Sequence, residues 1–185
     1  SAEQKHQGVV AKIRAGKQSQ PELKDILSRP DLLLLVLDGV QDPHNLGACL
    51  RSADACGVDA VIVSRNRSPG LTPVVRNVAS GAAETTAFIQ VSNLARALQQ
   101  LKDNDVWIVG TAGEAATSLY DSTASNRLAI VMGSEGEGLR RRTREACDEL
   151  IYITMQGQVE SLNVSVATGV CLFEYRRKLA AGNAP

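Results

Sequence analysis

Six short apolar runs punctuate the chain: Leu33–Leu37, Ala60–Ser64, Thr86–Val91, Val106–Gly110, Leu128–Met132 and Leu150–Thr154. Each is continuously apolar instead of alternating, the pattern of a strand covered on both faces. Helical segments fall in most of the intervals. Asp42-Pro43 sets an N-cap residue before a proline at the first helical position, and Gly57 follows Cys56 as a stop, which bounds a helix carrying Asn45, Gly47 and Arg51. Strands alternating with helices predict an α/β fold, a mostly parallel sheet flanked by helices.

The last helix, Asn163 to about Leu179, departs from the usual one-sided pattern. It is apolar on nearly every side through Phe173 and turns basic only at Arg176-Arg177-Lys178. Burial all round its first turns is expected, by insertion into the domain or by a second subunit, with the cations at its exposed C-terminal end. At the other extreme, Lys12 to Pro30 is rich in Lys, Gln, Ser and Pro, with one weak helical stretch at 21–28, and reads as a linker. The division expected is a residual N-terminal segment and linker over 1–30 and one domain over 31–185.

Composition narrows the class. The 185 residues are 44% apolar, and 20 Lys and Arg balance 20 Asp and Glu, as in an ordinary globular domain. No apolar run approaches the roughly 20 residues of a membrane span, and Ser1 to Gly16 lacks a signal-peptide core, so a cytoplasmic protein without membrane contact is expected. Cys49, Cys56, Cys147 and Cys171 stand singly, and His6 and His44 are the only histidines. That spacing argues against disulfides and bound metal and for buried thiols. Phosphate-loop, zinc-protease and hydrolase-elbow motifs are absent, and the turn Val40 to Asn45 lacks the glycines a dinucleotide needs.

Met132-Gly133-Ser134-Glu135-Gly136-Glu137-Gly138-Leu139 is the most informative segment. Its glycines let backbone approach a ligand closely in a strand-to-helix loop, where phosphate commonly binds. Two carboxylates there oppose an anion, which points to a neutral or cationic ligand.

Three ordered blocks now stand out: Asn45-Leu46-Gly47-Ala48-Cys49-Leu50-Arg51-Ser52-Ala53; Ile130 to Leu139; and Ile153-Thr154-Met155 followed by Ser161-Leu162-Asn163-Val164-Ser165-Val166-Ala167. As an ordered set they resemble the SpoU branch of the SPOUT RNA methyltransferases, over about Leu33 to Leu179; Ser80-Gly81-Ala82-Ala83-Glu84 resembles a further recurring piece. The resemblance implies transfer of a methyl group from S-adenosylmethionine to a ribose 2′-hydroxyl of RNA. It also implies a C-terminal deep trefoil knot, which would account for a buried last helix, and a homodimer. Including His6-Gln7-Gly8-Val9-Val10-Ala11, the likeness is strongest to bacterial enzymes acting on a guanosine of large-subunit (23S) ribosomal RNA. Such enzymes carry a small N-terminal RNA-binding domain, of which this chain would hold only a tail. Transfer RNA as substrate, or a non-catalytic RNA-binding or ribosome-assembly role on the same scaffold, are the alternatives.

Carried over position by position, the resemblance implies cofactor contacts at Thr111, Met132, Gly133, Ile153, Met155 and Leu162. The polar candidates for chemistry are Asn45, Arg51, Glu135, Ser161 and Asn163. Arg51 is the leading one, and its guanidinium pKa, above ~12, favours clamping a phosphate over acting as a base. Asn45 and Arg51, six residues apart on one helix, project roughly 120° apart. The resemblance implies that the arginine acts across the dimer interface. Capping is the simpler role for Asn45, Glu135, Ser161 and Asn163. Arg140-Arg141-Arg142 with Arg144, and more weakly Arg65 and Arg67, are candidates for RNA phosphates. Neutral net charge requires such basic groups to cluster locally.

Overall fold

The computed structural model describes residues 22–182; the motif at His6 and the start of the linker lie outside the described residues. Seven strands form one sheet: β1 (Leu32–Asp38), β2 (Ala60–Ser64), β3 (Ala87–Val91), β4 (Trp107–Thr111), β5 (Thr117–Ser118), β6 (Arg127–Gly133) and β7 (Glu149–Tyr152). Their order is β3-β2-β1-β6-β4-β7-β5, and every pairing is parallel. The six apolar runs are six of these strands, with ends displaced by at most two residues. The short β5 adds itself to the edge beside β7.

The helices are α1 (Leu23–Leu27), α2 (Pro43–Ala55), α3 (Pro73–Ala79), α4 (Ala82–Thr85), α5 (Leu94–Lys102), α6 (Arg141–Ala146) and α7 (Val164–Gly182). Alternate residues of β1 feed two separate cores, as the twofold strand period requires. Leu33, Leu35 and Leu37 pack with α2, α3 and α7, whereas Leu32, Leu34 and Val36 pack with α1 and α5. All seven β1 residues are buried, which explains why its sequence never alternates. α5 shows the opposite logic: Leu94, Ala97, Leu98 and Leu101 are buried at helical spacing, and the side chain of Asn93 caps its start by accepting from Arg96 N.

Two parts of the chain go beyond the sequence pattern. The end of the supposed linker is part of the packed domain: Ile26 of α1 is 2% exposed in the second core, and Arg127 donates to the carbonyls of Leu27, Arg29 and Pro30. Among the described residues, α7 is covered on one side only, which leaves the second subunit as the expected source of the remaining cover. It covers Val164, Thr168, Cys171, Leu172 and Tyr175, but Val166 and Phe173 are 52% and 55% exposed. Its apolar girdle is wider than the contact the described residues provide.

Candidate active site

Because the strands all run one way, the segments leaving β1, β4, β6 and β7 emerge along one edge of the sheet. The chain steps outward from β1 to β2 and β3, returns to the far side for β4, and only then lays β6 between β1 and β4. Ligands of open α/β sheets sit at such a reversal, beyond the carboxyl ends of the strands.

Two clefts open there. The larger, about 970 Å³, lies among the segments following β4, β6 and β7. Thr111, Met132, Gly133, Ile153, Met155 and Leu162, the six positions expected at a cofactor, all line it, and so do Glu135, Ser161 and Asn163. Glu114, Glu135, Glu137 and Glu160 supply four carboxylates against one cation, Arg144, which is ion-paired with Glu114. A surplus of negative charge suits a cationic ligand. The smaller cleft, about 310 Å³, lies over the end of β1 and the start of α2; its wall includes Gln41, Asn45, Arg67 and Arg140. Ser134, Glu135, Glu137 and Val164 line both, so the glycine segment is the partition between them.

That partition is a closed turn, not the helix N-terminus expected of a strand-to-helix loop. Ser134 N donates to Gly138 O at 3.2 Å and Gly138 N donates to Ser134 O at 3.0 Å, while α6 starts only at Arg141 and Arg140 gives it no side-chain cap. The amides that would cradle a phosphate are thus partly used within the turn. Closure demands glycine at 133, where a Cβ would stand 2.2 Å from the Gly138 carbonyl carbon and 2.5 Å from Leu139 N. Gly136 has φ +83°, a left-handed conformation that glycine adopts without strain.

Glu135, at the tip of the turn, is the centre of a polar network. Asn45 Nδ2 donates to Glu135 Oε1 at 3.2 Å, Val164 N donates to the same oxygen at 3.3 Å, and Asn163 Nδ2 donates to it and to Asn45 Oδ1. Asn45 therefore does not cap its helix; Asp42 does, accepting from the amides of His44 and Asn45. Asn163 does both jobs, since its Oδ1 accepts from Ser165 N at the start of α7. The turn also has a buried anchor. Asp38 is 1% exposed and accepts from Arg140 N at 3.1 Å and Arg140 Nε at 2.6 Å, tying the end of β1 to the residue that follows the turn. Sequence reasoning missed this pair, although Asp38-Gly39 at the end of the first strand was its trace.

Arg51 is not brought to these groups. It is exposed on α2 and lines neither cleft, consistent with its divergence from Asn45. The basic run is largely committed elsewhere: Arg140 to Asp38, Arg141 to Glu145 and Arg144 to Glu114, which leaves Arg142 as its exposed, unpaired member among the described residues. The cysteines are free, and burial pushes the Cys49 thiol up to about 11 and those of Cys147 and Cys171 to about 12.

Residues 32–173 match the model of the SpoU rRNA Methylase family. The chain belongs to that family. It is 61% identical to the 23S rRNA (guanosine-2′-O-)-methyltransferase RlmB of Yersinia pestis, over 94% of this chain and 71% of the relative. Against the RlmB of Escherichia coli K12 the identity is 58%, over 94% and 72%. Among solved structures, the SpoU methyltransferase AviRb of Streptomyces viridochromogenes, in complex with the cofactor AdoMet, superposes with a TM-score of 0.81 at 25% identity, over 87% of this chain and 66% of that one. The SpoU match covers both clefts and the whole network of Asn45, Glu135 and Asn163.

Proposed function

We propose that this chain is the catalytic part of an S-adenosylmethionine-dependent 23S rRNA guanosine 2′-O-methyltransferase. The observation that carries the reading is the partition itself: one network, Asn45–Glu135–Asn163, fixes the wall shared by a carboxylate-rich cleft and a smaller cleft beside it. Identity near 60% to two RlmB enzymes supports the substrate and position.

The larger cleft fits the cofactor by its chemistry. Met132, Ile153, Met155 and Leu162 offer an apolar wall for an adenosine, and the surplus carboxylates suit a molecule with a sulfonium and an ammonium group. When bound, S-adenosylmethionine supplies a methyl group on an already good leaving group. The chain's own task is to hold the ribose hydroxyl in line and to ease loss of its proton. Glu135 stays rigid because three donors fix Oε1. Asn45 and Asn163 are oriented by the same bonds, and Ser161 lines the larger cleft with Asn163.

Arg51 completes the site from a second copy of the chain. This homodimer is supported by the absence of Arg51 from the lining of either cleft and by the exposed Val166 and Phe173 of α7. The C-terminal segment forms the trefoil knot of the family, a reading supported by the late placement of β7 between the earlier strands β4 and β5. A separate N-terminal RNA-binding domain shares substrate selection, in keeping with a net charge of zero here. The location proposed is the cytoplasm, with the ribosomal substrate; among the described residues no helix is long and apolar enough to cross a membrane.

Calorimetric titration with S-adenosylmethionine, followed by labelled-methyl transfer to unmodified 23S rRNA and to transfer RNA, tests the proposal. Binding with transfer to 23S rRNA supports it; transfer to transfer RNA alone would replace the substrate, and binding without transfer to either would favour a non-catalytic role.

A further inference from the structure

Deepening that function, and resting on it, we infer that the smaller cleft is the subsite for the target nucleoside and that Glu137 is the residue that selects guanine.

The inference comes from accounting for the polar groups of the cleft. Asp38 is taken up by Arg140, Asp42 by the first amides of α2, and Glu135 by Asn45, Asn163 and Val164. Glu137 and Arg67 line the same cleft, and among the described residues neither has a side-chain hydrogen bond or an ion pair. One carboxylate and one guanidinium are thus presented without partners beside the network that positions the reaction.

Guanine is the base that complements a free carboxylate. Its Watson–Crick edge carries two adjacent donors, N1–H and the 2-amino group, which two carboxylate oxygens accept together. Adenine and cytosine each set one donor beside an acceptor, and uracil flanks its one donor with two acceptors. Arg67 supplies the matching charge for the nucleotide's phosphate. The backbone carrying Glu137 is fixed by the Ser134–Gly138 pair on either side, so the carboxylate is presented from a preset turn. A cleft of about 310 Å³ is suited to one extruded nucleotide, not to a base-paired stem. Because Glu137 lines the larger cleft too, the competing role is to hold the cofactor's ammonium, and the test separates the two.

The experiment compares wild type and Glu137→Gln on 23S rRNA fragments bearing guanosine or inosine at the methylated position, with calorimetric affinity for S-adenosylmethionine measured alongside. Inosine keeps N1–H and lacks the 2-amino group. Wild type is expected to prefer guanosine over inosine in kcat/KM by roughly tenfold or more. Glu137→Gln is expected to lose roughly ten- to a hundredfold on guanosine, to bring the guanosine-to-inosine ratio close to one, and to lower cofactor affinity by far less than turnover, since three other carboxylates of the larger cleft remain. A ratio unchanged in the variant, or a fall in cofactor affinity that matches the fall in turnover, would overturn the assignment. A wild type that binds cofactor and methylates neither fragment would overturn the function itself along with it.

Discussion

Gly133→Ala probes the partition between the clefts without removing any functional group. The new Cβ would lie 2.2 and 2.5 Å from the carbonyl carbon and oxygen of Gly138 and 2.5 Å from Leu139 N, all backbone atoms that cannot swing aside. The turn must open, at the cost of the two Ser134–Gly138 hydrogen bonds, each worth about 1 kcal/mol net. Residual overpacking against the Gly138–Leu139 backbone adds about 1–3 kcal/mol. A loss of about 3–5 kcal/mol is a large part of the ~5–15 kcal/mol that stabilises a domain, and lowers Tm by roughly 6–20 °C in a chain of this size. Gly136→Ala is the internal control. With φ +83° and no atom within 4 Å of its Cβ, it costs only about 1–2 kcal/mol of backbone strain. Urea unfolding gives both losses, and titration with S-adenosylmethionine shows whether the displaced turn also weakens the cleft, as expected for the 133 variant alone. A Gly133→Ala protein as stable as wild type, with unaltered cofactor affinity, would refute the close approach and the rigid partition built on it.

Further outcomes follow from the same structure. Arg51→Ala should abolish methyl transfer and leave cofactor affinity intact; mixed with Glu135→Ala, it should recover about a quarter of wild-type activity, because in the proposed homodimer half of randomly assorted pairs contain one intact composite site. No recovery in subunits shown to exchange would place Arg51 within its own chain. Lys178→Met should cost about 2–3 kcal/mol in urea unfolding, since Lys178 Nζ donates to Leu119 O at 2.6 Å, to Ser122 O and to Ser122 Oγ, binding α7 to the segment after β5. An unchanged midpoint would show that this tie is dispensable. Thiol burial sets an alkaline limit: unfolded thiols ionise near 9.0, whereas Cys49, Cys147 and Cys171 hold their protons to about 11, 12 and 12. Above pH 9 the unfolded chain binds fewer protons than the folded one, so stability is full below that pH and falls toward pH 11–12, by up to roughly 1.4 kcal/mol per pH unit per thiol. Urea midpoints that stay level between pH 8 and about pH 10.5 would contradict this burial effect.

What the sequence made legible depended on the range of the interactions. The central strands were readable because burial on both faces writes a continuous apolar run, as in β1 and β6. β5 was not, because Thr117 and Ser118 join the sheet only through pairing with Ile151 and Tyr152. α3 repeats the Thr72-Pro73 form of cap that marked α2 with Asp42-Pro43, so its signal was present and passed over. The site was legible as a set of blocks but not as a network. Asn45, Glu135 and Asn163 are separated by 90 and 28 residues, and Asp38 and Arg140 by 102, so only the sheet order brings them together. For α7, composition reported an apolar helix but not which of its sides the chain itself covers, and Phe173 and Val166 were left outward.

The measurement that tests the central claim most directly is nucleotide-resolution mapping of 2′-O-methylation after incubating this protein with S-adenosylmethionine and unmodified 23S rRNA. The account predicts one methylated guanosine ribose in wild type, its loss in Glu135→Ala, and cofactor binding that survives in both. Methylation at a base, at a nucleotide other than guanosine, or undiminished in Glu135→Ala would contradict it.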